Sequence, residues 1–217
     1  MKGLYAITDS RLIPPGKLCS RVAQAIAGGA ALVQYRDKQR RASERLREAT
    51  ALAALCRQHA VPLIINDDLE LAAAVDAAGV HLGMADAAPG RARERLGETA
   101  IIGVSCYNRL ERASEAVTAG ADYIAFGRFF PSASKPEAEP ATPALLREAR
   151  ARYNLPLVAI GGITPANGRQ LIEAGADLLA VIHGVFGQPD VRAAAQAYAA
   201  LFREQTAVGS EKVNSEQ

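Results

Sequence analysis

AGADYIAFGR (119–128) and AGADLLAVIHG (174–184) share one arrangement: a small-residue helix stop, a short apolar run, then a polar end. GGAALVQYRD (28–37) and AAGVHLGMAD (77–86) repeat it more loosely. Ala-Gly or Gly-Gly immediately before a β-rich run marks a helix C-terminus handing the chain to a strand. The four segments introduce the second, fourth, sixth and eighth of eight β-rich runs, at 3–8, 32–36, 63–66, 80–83, 101–105, 123–127, 157–161 and 178–182. The recurring unit is therefore two strand-helix pairs. Ala-, Leu-, Glu- and Arg-rich stretches fill the gaps, the pattern of parallel strands joined by crossover helices. Runs such as IIGVS and LLAVI do not alternate, as suits strands buried on both faces. Four such units close into an α/β fold of the (β/α)8 TIM-barrel type, for which 217 residues is near the lower end of ~200. The alternative is an open doubly wound sheet. No GxGxxG follows the first strand, which weakens its dinucleotide-binding version.

A chain of this length buries roughly 70% of its unfolded surface, so residues 1–205 are expected to form one domain. The segment 206–217, ending AVGSEKVNSEQ, loses apolar periodicity and reads as a disordered polar tail. Twenty-five Lys and Arg against 23 Asp and Glu leave a net charge of +2, too balanced for a protein that coats polyanions. No nucleic-acid partner is expected, and any bound anion must be held locally. No apolar run approaches the ~18 residues of a membrane span, so no membrane partner is expected either. MKGLYAITDSR is broken by Asp9 and Arg11 before a signal-peptide core could form. Cys19, Cys56 and Cys106 show no CxxC spacing; a reducing cytoplasm is the expected compartment. A homo-oligomer stays open.

In a barrel of this kind the C-terminal strand ends and the loops after them share one mouth. The second run ends Gln34-Tyr35-Arg36-Asp37-Lys38, and alternation sends Gln34, Arg36 and Lys38 to one side. An amide and two cations there can clamp an anion, Arg with a planar fork and Lys as a point charge. Taken alone, the segment has a second reading as a solvated strand end with a surface ion pair. The third run ends Asn66-Asp67-Asp68 and the fourth His81-Leu82-Gly83-Met84-Ala85-Asp86. Asp67 and Asp86, on adjacent strand ends, suit Mg2+, which keeps one or two carboxylates plus phosphate oxygens. Singly, each reads more readily as a helix N-cap, and Asp68 is the better cap for LELAAAV.

The seventh run ends in Gly161-Gly162, with Thr164 and Pro165 as N-cap and first helical residue, and the eighth in Ile182-His183-Gly184. Loops after these two strands form the recurring phosphate site of the fold, although paired glycines also serve a plain tight turn. The long connection after the sixth run carries Ser132, Ala133, Ser134 and Lys135, as a binding loop or as a Pro-rich surface loop. Ser105 adds a hydroxyl at the end of the fifth run. His59 reads as solvent-facing and His81 as a hydrogen-bonded structural side chain. Cys106 reads as inert packing, so no covalent nucleophile is apparent.

Together QYRDK (34–38), IINDD (64–68), GVHLGMAD (79–86), GVS (103–105), GRFFPSASKP (127–136), AIGGIT (159–164) and AVIHGVFG (180–187) resemble the thiamine-phosphate synthase family, from Gly3 to about Gly187. The resemblance implies a transferase that joins 4-amino-2-methyl-5-hydroxymethylpyrimidine diphosphate to a thiazole phosphate, plain or carboxylated, releasing pyrophosphate and thiamine monophosphate. It implies that Gln34, Arg36, Lys38, Asn66, Ser105 and Lys135 hold the pyrimidine diphosphate, with Tyr35 and Asp37 in the same substrate-binding segment. Arg36, Lys38 and Lys135 would be catalytic, and Asp67 and Asp86 would ligate Mg2+. Ser132, Ala133, Ser134, Gly162, Ile182 and His183 would line the thiazole-phosphate pocket. The implied chemistry is dissociative: pyrophosphate leaves, a methylene cation remains, and the thiazole nitrogen captures it. Met84 stands where the family often has Gln, Ser132 and Ser134 where Thr is common, and His183 where Ser is frequent. The rival readings are a thiazole tautomerase, which usually has His where this chain has Tyr107, and a non-catalytic phosphate-binding barrel.

Overall fold

The computed structural model describes residues 1–83, 86–131 and 139–213, with side chains through residue 203. Eight parallel strands, each hydrogen-bonded to the next in chain order, close into a barrel when β1 meets β8. The strands are β1 (Gly3–Ile7), β2 (Ala30–Tyr35), β3 (Leu63–Asn66), β4 (Gly79–Leu82), β5 (Ile101–Tyr107), β6 (Tyr123–Gly127), β7 (Leu157–Ile160) and β8 (Leu178–Val181). Between them run α1 (Leu18–Ala27), α2 (Ala42–Gln58), α3 (Leu69–Ala74), α4 (Pro89–Leu96), α5 (Leu110–Thr118), α6 (Pro143–Arg152) and α7 (Pro165–Glu173). After β8 come a short α8 (His183–Phe186) and a long α9 (Val191–Val213). The last helix carries helical backbone past position 206, where the sequence reading begins a tail. Among the described residues no helix is long and apolar enough to cross a membrane.

Two apolar clusters explain the unalternating strands. Residues of one parity fill the barrel lumen, among them Tyr5, Ile7, Leu32, Ile64, Tyr123, Val158 and Leu178. Their neighbours, such as Leu4, Val33, Leu63, Ile65, Val80, Ile124 and Leu179, pack under the helices. Both faces are dry, so both carry apolar side chains.

The AGAD repeat has a structural cause at the closed end of the barrel. In both copies the helix finishes in a Schellman turn: Ala121 N–H reaches Ala116 O at 3.0 Å and Ala176 N–H reaches Leu171 O at 2.9 Å. That turn places Gly120 at φ 85° and Gly175 at φ 112°, backbone that a side chain disfavours. Each Asp then staples its strand to the preceding one. Asp122 accepts the Ile102 N–H at 2.7 Å and Asp177 the Leu157 N–H at 2.9 Å, while Arg93 of α4 and Arg150 of α6, the helices that lead into β5 and β7, pair with the same carboxylates.

Strand limits differ from the sequence reading by a residue or two. β4 begins at Gly79, where a Cβ would sit 1.9 Å from Ile101 O, so close strand contact starts where the side chain is missing. β5 continues to Tyr107 because a bulge at Cys106 restores pairing between Tyr107 and Phe126.

Candidate active site

The open end of the barrel collects the charges that the sequence places at strand ends. Asp9, in the loop after β1, is almost fully buried and accepts from Arg11 through its backbone N–H at 2.9 Å, Nε at 3.0 Å and Nη2 at 2.7 Å. Arg36 at the end of β2 lies 3.6 Å from the same carboxylate. The Arg11 guanidinium beside Asp9 holds its carboxyl below the usual carboxylate range, against the opposing effect of burial. Thr8 adds a second restraint, its Oγ1 accepting the Arg36 N–H at 2.9 Å. Arg36 thus enters the rim clamped at both its backbone and its side chain.

Lys38 reaches across to β3, with Nζ 3.3 Å from Asp67 Oδ2. Asp67 sits at φ 63°, a left-handed conformation that Asp tolerates better than most residues and that often marks a functional position. Its backbone N–H donates to His81 O at 2.8 Å, tying the turn to β4. Asp86 accepts the Gly83 N–H and faces Asp67. Loss of water, and then the negative charge of Asp67, push the Asp86 carboxyl above its ordinary range. Two carboxylates that repel one another beside a rim of cations are a hard-oxygen site, and the residues fit Mg2+. Among the described residues no group of three or more His, Cys, Asp or Glu could hold a metal, so a cation here relies on ligand oxygens to complete its shell. Asp68 takes the capping role read from the sequence, accepting the Leu71 N–H at 2.9 Å.

The opposite face of the QYRDK segment turns toward the scaffold. Tyr35 points outward and donates to Glu48 Oε2 of α2 at 2.9 Å. Asp37 accepts the backbone N–H groups of Gln39 and Arg40 at 2.7 and 2.9 Å. Strand alternation turns both side chains toward the scaffold and away from Gln34 and Arg36, and Asp37 uses only Oδ1 in these bonds. Asn66 ends β3 in register with His81, on the parity of the lumen residue Ile64.

Below the rim a chain of hydrogen bonds crosses the lumen. Gln34 Nε2 donates to Tyr5 Oη at 2.7 Å, and Tyr5 Oη lies 2.8 Å from Tyr123 Oη. His81 places Nδ1 2.9 Å from Tyr123 Oη and Nε2 2.9 Å from Ser105 Oγ. The imidazole also stacks on Tyr123, with ring centroids 5.6 Å apart and 16° between planes. His81 is thus hydrogen-bonded as read from the sequence. Cys106, turned the other way, is buried, and burial pushes its thiol up to about 12, away from thiolate chemistry.

On the far side of the mouth, Gly161 and Gly162 have φ of 104° and 63°. A Cβ on Gly162 would lie 2.4 Å from Pro131 O, so the pair lets the start of the β6 loop lie directly over β7. Thr164 caps α7 as read, in a capping box with Asn167. Ile182 caps the short α8 and His183 is exposed at its first position. Met84, Ser132, Ala133, Ser134 and Lys135 lie outside the described residues.

The family described as thiamine monophosphate synthase matches residues 4–185. The chain belongs to that family. The thiamine-phosphate synthase of Nitrosococcus oceani is 57% identical over 198 residues, 91% of each chain. That of Marinobacter nauticus is 58% identical over 198 residues, 90% of this chain and 89% of the other. The thiamine phosphate pyrophosphorylase from Pyrococcus furiosus superposes with a TM-score of 0.85 at 36% identity, covering 93% of this chain and 96% of that one. Membership in this family makes the chain a transferase.

Sequence reading missed Asp9, Arg11 and Thr8 at the first strand end, and the two lumen tyrosines. Asp9 was findable, since it follows β1 at the same level as the strand ends that were read as functional. Tyr5 and Tyr123 carried a weaker signal: a phenol buried in a strand requires a partner, but nothing local says which.

Proposed function

We propose that this protein couples an aminopyrimidinylmethyl diphosphate to the ring nitrogen of a hydroxyethylthiazole phosphate, plain or carboxylated, giving thiamine monophosphate and pyrophosphate and, from the carboxylated form, carbon dioxide as well. The observation that carries this reading is the meeting of Arg36, Lys38, Asp67 and Asp86 on one rim, directly above an amide and a hydroxyl, those of Gln34 and Ser105. Cations over a polar ring-binding floor suit a substrate with a diphosphate at one end and a heteroaromatic ring at the other.

In the dissociative step the methylene C–O bond breaks and its electron pair leaves with pyrophosphate. The thiazole nitrogen then supplies the pair for the new C–N bond. Arg36 and Lys38 hold the diphosphate oxygens and stabilise the charge that grows on them, an electrostatic contribution that requires no covalent intermediate. Lys135 belongs in the same role. Asp67 and Asp86 would hold Mg2+, which acts as a Lewis acid toward the leaving diphosphate when bound. Asn66 completes the diphosphate side, and Gly162, Ile182 and His183, with Ser132, Ala133 and Ser134, form the thiazole-phosphate side. Holding both phosphorylated substrates in register makes the second step effectively unimolecular. The tautomerase reading lacks its imidazole, because Tyr107 stands at that position and its ring takes the Arg112 guanidinium 5.5 Å from its centroid.

Purified protein supplied with Mg2+ and both substrates is expected to form thiamine monophosphate and pyrophosphate in equal amounts. Binding of both substrates without product overturns the reading in favour of a non-catalytic barrel.

A further inference from the structure

The lumen chain Gln34–Tyr5–Tyr123–His81–Ser105 takes each residue from a different strand, yet its members connect end to end. Its direction follows from counting donors. The Gln34 Nε2 is a donor by nature, so Tyr5 Oη accepts there. The Tyr5 hydroxyl then has Tyr123 Oη as its acceptor. With that bond made, the Tyr123 proton goes to His81 Nδ1, which fixes the imidazole with its own proton on Nε2. That proton points at Ser105 Oγ, and the Ser105 hydroxyl hydrogen is turned away from His81. In the reverse direction Tyr5 would accept twice and bury its own hydrogen without an acceptor, an arrangement that folded proteins avoid. Both phenols are completely buried and burial raises both far above their ordinary range, so they remain protonated relays.

Space has been cleared for this chain. A Cβ on Gly103 of β5 would lie 1.9 Å from Tyr123 Cζ and 2.3 Å from its Oη, so the phenol occupies the place of a missing side chain. Tyr5 and Tyr123 then meet edge to face, with centroids 6.0 Å apart and planes at 88°.

We infer that Tyr5, Tyr123 and His81 are positioning residues that hold Gln34 with its carbonyl Oε1 outward as an acceptor and Ser105 with its hydroxyl outward as a donor, and so select an amino-substituted ring over its oxo analogue. An aminopyrimidine offers a donor at its amino group and an acceptor at a bare ring nitrogen, the complement of those two ends. The deaminated ring presents a carbonyl in place of the amino group and sets acceptor against acceptor at Gln34. This rests on the coupling reaction proposed above for its kinetic readout, whereas the proton position on His81 is measurable without it.

The test uses the full chain labelled with 15N-histidine at pH 8, the His81 signal being the one lost in His81→Asn, and Tyr123→Phe and Tyr5→Phe beside the parent. The parent is expected to carry its proton on Nε2 alone; a proton on Nδ1, alone or together with one on Nε2, overturns the inference. In coupling assays both Phe variants are expected to raise KM for the aminopyrimidine diphosphate about 10-fold or more, equivalent to about 1.4 kcal/mol. Their preference for it over the oxo analogue is expected to shrink by a similar factor, while inhibition by inorganic pyrophosphate changes less than about two-fold. Unchanged preference in both folded variants overturns the inference, as does weakening of pyrophosphate binding in step with KM, which marks general loosening of the site. If the parent fails to couple, the proposed reaction falls, and the Nε2 proton still decides the direction of the chain.

Discussion

Asp9 and Asp86 do different work at the rim, and their substitutions separate the two. Asp86 accepts the Gly83 N–H, and its carboxylate is already disfavoured by loss of water and by Asp67. Asp86→Ala is therefore expected to lower Mg2+-dependent coupling by about 10²-fold, in the range of lost transition-state electrostatics, with a urea midpoint close to the parent's. Full activity without Asp86 removes it from the metal site. Asp9 instead anchors Arg36 from behind. Asp9→Asn is expected to raise KM for the pyrimidine diphosphate roughly 10-fold while kcat falls less, because the guanidinium loses its restraint but keeps its charge. An unchanged KM makes the Asp9–Arg36 contact incidental. The same carboxylate gives stability a pH signature. Its folded pKa is lowered, so the stability it contributes is present above its unfolded value of about 3.9 and is lost as pH falls through the folded value. Urea midpoints at pH 3 and pH 7 are expected to differ less in Asp9→Asn than in the parent.

At the scale of elements, activity and stability occupy opposite ends of the strands. The Asp177 staple lies at the start of β8, on the end away from the rim residues. Asp177→Ala leaves the Leu157 N–H without its acceptor and Arg150 without its carboxylate, and is expected to cost about 2–3 kcal/mol of stability, read as a lower urea midpoint. Coupling by the protein that remains folded is expected to be unchanged. Thr164→Ala at the α7 cap is expected to cost about 1 kcal/mol by the same measurement. Most elements were legible in the sequence because their signals are local: Gly before a strand, Thr-Pro before a helix, an apolar run between. The bulge at Cys106 was not legible, since it depends on how Tyr107 pairs with Phe126 of the neighbouring strand. Nor was the fate of the Asp residues in AGAD, which stand just before each run in the sequence and are clips between strands in the fold.

At the scale of the whole molecule, the lumen sets the limit on change. Gly103→Ala would drive a methyl into the Tyr123 ring and is expected to lose about 1–3 kcal/mol through overpacking, with the midpoint of thermal unfolding falling accordingly. No loss would mean that the ring has room to move, and would weaken the case for a fixed lumen chain. The order of residues by itself determined the barrel, the open rim and the charged strand ends, because a parallel barrel writes its period along the chain and sends alternate side chains to alternate faces. Only the tertiary structure decided which charges meet and which way the buried protons point. Tyr5 and Tyr123 stand 118 residues apart and touch through their hydroxyls, and Asp9 finds Arg36 across a strand boundary. Hydrogen-bond partnership is a property of atoms within about 3 Å, and closure of the barrel is the event that brings those atoms together.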